Sequence, residues 1–72
     1  MIIRTQDSNA IYDCSKAFSI IAQENGDVLC LGYSGELAYT LGHYDSFDRA
    51  KEIVEEIFAL IGTQDKYDMP TI

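Results

Sequence analysis

The sequence predicts an α+β fold: a curved antiparallel meander of about five strands packed on one C-terminal helix, in the order β-β-β-β-β-α. Three observations predict it. The stretch Asp45 to Gly62 has the period of an amphipathic helix, with a start and a stop signal. Residues 1–44 divide into short apolar runs with the alternation of strands. Turn formers separate these runs at spacings too short for crossover connections, so neighbouring strands pair antiparallel.

Met1 to Gln6 reads as the first strand, and Asp7-Ser8-Asn9 supplies the turn. Ala10 to Cys14 returns beside it, and Ser15-Lys16 makes a break. Ala17 to Glu24 alternates, with Phe18, Ile20 and Ala22 on one side and Ser19, Ile21 and Gln23 on the other. Asn25-Gly26 follows, a strong hairpin signal because both residues tolerate positive φ. Val28 to Tyr33 places Leu29, Leu31 and Tyr33 opposite Val28, Cys30 and Gly32. After the turn Ser34-Gly35-Glu36, Leu37 to Tyr44 sets Leu37, Tyr39, Leu41 and His43 against Ala38, Thr40, Gly42 and Tyr44. Gly32 and Gly42 inside strands point to a bulge or bend.

In the helix, Ala50, Val54, Ile57 and Ile61 fall in one arc, flanked by Phe47, Ile53, Phe58 and Leu60. Asp48, Arg49, Lys51, Glu52, Glu55 and Glu56 lie opposite. Asp45 or Ser46 can cap the first turn, Asp48 suits the positive end of the dipole, and Gly62 fits a left-handed C-terminal stop. Residues 1–62 therefore form a single α+β domain. Residues 63–72, TQDKYDMPTI, read as a polar, extended and partly mobile tail. The recurrence of Thr5-Gln6-Asp7 as Thr63-Gln64-Asp65 is too short to mark a repeat.

A chain of 72 residues buries only about 60% of the surface its unfolded form exposes. A thin core of this kind is commonly supplemented by a disulfide, a metal or oligomerisation. One helix covers one sheet face, yet the strands carry apolar residues on both. Either the sheet curls into a partial barrel or its second face meets another chain. Tyr12, Tyr33, Tyr39, Tyr44 and Tyr67 suit a surface with an apolar body and a wet rim, and Tyr12, Tyr33 and Tyr39 are the candidate interface residues. The plainer reading of the same tyrosines is half-buried strand residues.

The net charge is −7, and both 1–44 and 45–72 are acidic. That balance disfavours direct nucleic-acid binding, which needs basic groups to release phosphate counterions. No apolar run reaches the length of a membrane span or a signal h-region, so the expected location is the cytoplasm and no membrane contact is expected.

No constellation of catalytic residues stands out. His43 is the lone histidine and would gain a catalytic reading only within hydrogen-bonding reach of a cysteine or carboxylate in a pocket. Cys14 and Cys30, without a CxxC pair, make no metal signature and are expected as free thiols, although they could pair in principle. The carboxylates Asp45, Asp48, Glu52, Glu55 and Glu56 have simpler explanations in capping and solvation than in acid–base work. The scattered glycines form no phosphate loop. No enzyme activity, metal or cofactor is expected.

Three segments, MIIRTQD at the start, LGHYDS from Leu41 to Ser46 and RAKEIVEEI from Arg49 to Ile57, carry a family likeness. Together they resemble a group of small uncharacterised proteins of Gram-positive bacteria and of their phages and mobile elements. The likeness spans about residues 1–61 and leaves out the cysteines and the 63–72 segment. Its motifs are structural: a strand start, a strand-to-helix junction and an amphipathic helix. It implies a bacterial or phage origin and carries no functional residues over. The expected function is a non-catalytic protein–protein interaction module, able to form a homodimer. The alternative is an acidic phage or mobile-element inhibitor of a host nuclease or defence system, with carboxylates at phosphate-like spacing.

Overall fold

Local turn chemistry starts the fold. The Thr5 hydroxyl donates to Asp7 Oδ1 at 2.7 Å and accepts the Ala10 N–H at 3.2 Å, while Ser8 takes a left-handed φ of 62°. The turn lets β1 (Ile2–Arg4) pair antiparallel with β2 (Ile11–Asp13), as expected. A computed structural model describes residues 1–16, 19–32 and 38–72 of the chain. Tyr33, Phe18 and the turn Ser34-Gly35-Glu36 lie outside the described residues.

β2 stops at Asp13, whose Oδ1 accepts both the N–H and the hydroxyl of Ser15 and so bends the chain into a 3-10 turn, Cys14–Lys16. The chain then enters a second sheet. β3 (Ser19–Ala22), β4 (Asp27–Leu31) and β5 (Ala38–His43) pair antiparallel in that order. The hairpin between β3 and β4 has the three-residue loop Glu24-Asn25-Gly26. Gln23 N–H donates to Asp27 O at 2.8 Å, and Gly26 N–H donates to Gln23 O at 2.9 Å. Gly26 alone takes positive φ (96°), so the expected pair of left-handed residues reduces to one, in a turn closed by a glycine bulge. Asn25 instead stays right of that region and uses its amide to hold Asp27, accepting its N–H at 3.0 Å. A Cβ on Gly26 would lie 2.1 Å from the Tyr44 carbonyl oxygen, so the turn is locked against the start of the helix segment.

The bend expected near Gly42 is a bulge. Val28 faces Gly42 but Leu29 faces Thr40, which leaves Leu41 as the extra residue. The bulge resets the alternation. Leu41 is fully buried, Tyr44 is also buried, and His43 turns to the solvent side opposite Asp27. The expected sharing of one face by Leu41 and His43 therefore fails for a local reason.

Ser46 caps the helix, its hydroxyl accepting the Arg49 N–H at 3.1 Å, and α1 spans Phe47–Leu60. Ala50, Ile53 and Ile57 are buried against β3 and β4. Gly62 ends the turn at φ 87° as anticipated. The next segment departs from expectation. Residues 63–72 carry a sixth strand, β6 (Lys66–Asp68), which pairs parallel with β1 and completes the order β2-β1-β6. Tyr67 and Met69 are buried, Ile2 N–H donates to Asp65 O at 2.8 Å, and Met69 N–H donates to Arg4 O at 3.1 Å. The supposed tail is part of the core.

The architecture is thus α+β, with six strands in two sheets and one helix among the described residues. The apolar excess that implied a curled sheet is absorbed between the two sheets. Ile3, Val28, Cys30, Leu41, Ile53, Ile57, Tyr67 and Met69 meet in one cluster drawn from both sheets and the helix. Gln6 stitches the sheets together: its N–H donates to Leu41 O at 2.9 Å, and its Oε1 accepts the His43 N–H at 2.7 Å.

Candidate interaction surface

The helix stripe is wider than the surface available to cover it. Ile53 and Ile57 are buried, but Phe58 is 73% exposed. Ile61 was expected in the buried arc and is 59% exposed. Ile61 is the C-cap: its φ of −60° and its N–H bond to Ile57 O keep it on the helical stripe, and ψ 130° turns the chain away only after it, so the end of the stripe is left uncovered.

Beside these two residues runs a cleft of about 260 Å³, lined by Cys14, Ser19, Ile20, Val54, Ile57, Phe58 and Ile61. Among the described residues, no Asp, Glu, Lys or Arg borders it. A neighbouring cleft of about 380 Å³ shares Cys14, Ile20, Ile57 and Ile61 and continues to Met1, Gln64 and the carboxylate residue Asp65. One wall is β3, which has a partner, β4, on one side only among the described residues. An apolar groove therefore lies alongside a strand edge, two features that each invite a partner.

The sequence-derived interface tyrosines lie elsewhere. Tyr12 on β2 and Tyr39 on β5 meet ring to ring, with centroids 4.9 Å apart and a 35° tilt. They bridge the two sheets, and Tyr39 keeps 38% of its surface exposed. Tyr33 lies outside the described residues. Tyr44 and Tyr67 serve the core with satisfied hydroxyls: Tyr44 Oη donates to Pro70 O at 2.7 Å, and Tyr67 Oη donates to Glu56 Oε1 at 2.9 Å. Burial raises both phenol pKa values, and for Tyr67 the Glu56 carboxylate adds to it.

His43 does reach a carboxylate. Its Nδ1 lies 2.6 Å from Asp27 Oδ1, across the β4–β5 ladder, and that hydrogen bond holds the Asp27 carboxyl below its usual range. His43 borders a cleft of about 550 Å³ with Gln6, Arg49, Glu52 and Ile72. Arg49 is already engaged there, donating to Ile72 O from Nε and Nη2. Ser46 is occupied as the helix cap, and Cys14 and Cys30 contact one another. The pair can orient an imidazole, but no nucleophile is hydrogen-bonded to it among the described residues.

The helical carboxylates are interleaved with cations. Lys51 lies 3.8 Å from Asp48, Arg49 lies 3.6 Å from Glu52, and Glu56 accepts from Tyr67. Among the described residues, no group of three or more His, Cys, Asp or Glu side chains is placed to hold a metal ion, and no helix is long and apolar enough to cross a membrane. Set against known protein-family models, curated proteins and solved structures, the chain matches none.

Proposed function

We propose that the chain is a non-catalytic protein–protein interaction module that associates with a second copy of itself through the groove between α1 and β3. The observation that carries this reading is the exposure of Phe58 (73%) and Ile61 (59%) beside a cleft whose described lining residues include no Asp, Glu, Lys or Arg. Covering a phenylalanine contributes roughly 1.5–3 kcal/mol. A two-fold contact would cover two, along with two isoleucines, and would let the β3 edges run antiparallel across the axis.

Charge bears on where two copies would meet. Each chain carries −7, so copies repel one another, and a contact costs least where the described lining residues carry no ionisable groups, as in this groove. A basic partner would instead seek the carboxylates. Their interleaving with Lys51 and Arg49 also gives little support to the alternative of an acidic nuclease or defence-system inhibitor. The likeness to small proteins of Gram-positive bacteria and their phages, a group without an established activity, accords with a binding role in the cytoplasm. Tyr12 and Tyr39 fit this reading as a rim to a further contact outside the groove. His43 and Asp27 act in it as a cross-strand pair.

Sedimentation equilibrium tests the proposal. The expected result is a monomer–dimer equilibrium that tightens with added salt, as repulsion between acidic copies is screened, and that Phe58→Glu abolishes. A chain that stays monomeric at every concentration, or a dimer untouched by Phe58→Glu, rejects it.

A further inference from the structure

Two thiols from different sheets meet inside the protein. Cys14 follows β2 and Cys30 lies on β4, and the Cys30 thiol donates to Cys14 Sγ at 3.5 Å. Both are buried, with 9% and 5% of their surface exposed. A disulfide requires the sulfurs to close by only about 1.5 Å. Among the described residues, the hydrogen-bond partner of each sulfur is the other. Cys14 also borders both clefts beside Ile57 and Ile61, whereas Cys30 borders neither. Cys14 therefore lies nearer than Cys30 to space that a small molecule can enter.

We propose that Cys14 and Cys30 are an oxidisable dithiol, with Cys14 as the entry sulfur and Cys30 as the resolving one, closing a disulfide that fastens the first sheet to the second. The oxidant is a low-molecular-weight disulfide such as oxidised glutathione. Cys14 loses its proton and attacks one sulfur of the oxidant, forming a mixed disulfide and releasing one small thiolate, which takes up a proton. Cys30 then loses its proton and attacks Cys14 Sγ, and the second small thiol leaves. The protein gives up two electrons and two protons, and the oxidant gains both as two S–H bonds.

Burial, with the Cys30 contact next, pushes the Cys14 thiol up to about 12. Thiolate is scarce at neutral pH, so the pair rests as a dithiol in a reducing compartment and oxidises slowly. The bond would enclose β3 and its hairpin to β4 in one covalent loop, a segment whose freedom in the unfolded chain it would remove. The proposed self-association would cover this same groove, so Cys14 is open to the oxidant in the monomer, and a chain that never dimerises leaves this inference standing.

The test is exposure of the native full-length chain to oxidised glutathione, at concentrations where it is monomeric, followed by alkylation, intact mass and peptide mapping. The expected product has lost two hydrogens, resists alkylation at both positions, yields one linked Cys14–Cys30 peptide pair, and melts higher by roughly 10 °C or more. Cys30→Ala is expected to stop at a glutathione adduct on Cys14, and Cys14→Ala to remain unmodified. The proposal is overturned by wild-type protein that keeps both thiols, stops at the mixed disulfide, links between chains, or melts lower once linked. Should either alanine variant fail to fold, the wild-type mass, map and melting point decide alone.

Discussion

The two sheets have three strands each but are assembled in opposite ways. In β3-β4-β5 every partner is a sequence neighbour, and the pairing across β3–β4 needs only the loop Glu24-Asn25-Gly26. In β2-β1-β6 the central strand β1 has one local neighbour and one from the far end of the described chain, with Ile3 opposite Tyr12 on one side and Tyr67 on the other. The local sheet is held by turn chemistry. The other is held by burial, because Tyr67 and Met69 must stabilise β6 enough to offset the closure of a long loop.

The largest test of that contrast is Tyr67→Ala. It removes a buried ring and its hydrogen bond to Glu56 and is expected to cost about 3–5 kcal/mol in urea unfolding. A cost near zero would mean that β6 is dispensable and the contrast false.

Gly26→Ala probes the local sheet at its most constrained point. Positive φ and a Cβ facing the Tyr44 carbonyl at 2.1 Å give an expected loss of roughly 2–4 kcal/mol. Gly62→Ala has similar φ but nothing within 4 Å, and should cost only about 1 kcal/mol by the same assay. Equal losses would show that crowding against Tyr44 contributes nothing.

Thr5→Val isolates the hairpin half of the first sheet. It deletes the hydrogen bonds to Asp7 and Ala10 around a buried residue and should cost about 1–2 kcal/mol, less than Tyr67→Ala. A reversed ranking would place the strength of that sheet in its turn.

The smallest effect is expected at His43–Asp27 in the second sheet. The hydrogen bond lowers the Asp27 pKa in the folded chain, so its contribution is present above the unfolded value near pH 4 and is lost as pH falls through the folded value. His43→Ala should flatten that acid limb and change stability at neutral pH by no more than about 1 kcal/mol, because the imidazole is largely exposed. An unchanged acid limb would remove the pair from the account.

The same contrast governs what the sequence could reveal. Ser46, Gly62, the Asp7-Ser8-Asn9 turn and the glycine at the β3–β4 hairpin were legible because each acts on its own neighbours. β6 was hidden. Only Tyr67 and Met69 alternate with exposed Lys66 and Asp68, and the strand's partner lies at the other end of the described chain. Periodicity over four residues cannot specify a parallel neighbour. The bulge at Leu41 was signalled by Gly42, but its consequence for His43 depended on which residue was left over. The apolar stripe of α1 was legible, whereas its uncovered end was not, since how much of the stripe is covered depends on where the strands lie beneath it. The meeting of Cys14 and Cys30 had no local sign at all.

The parallel seam between β1 and β6 also bears on synthesis. A nascent chain can complete the β3–β4–β5 meander and α1 while Ile3 still lacks one neighbour, and the seam cannot close until Tyr67 and Met69 have been made. Among the described strands, folding during synthesis therefore closes last at β1, whose free side stays open until β6 has emerged.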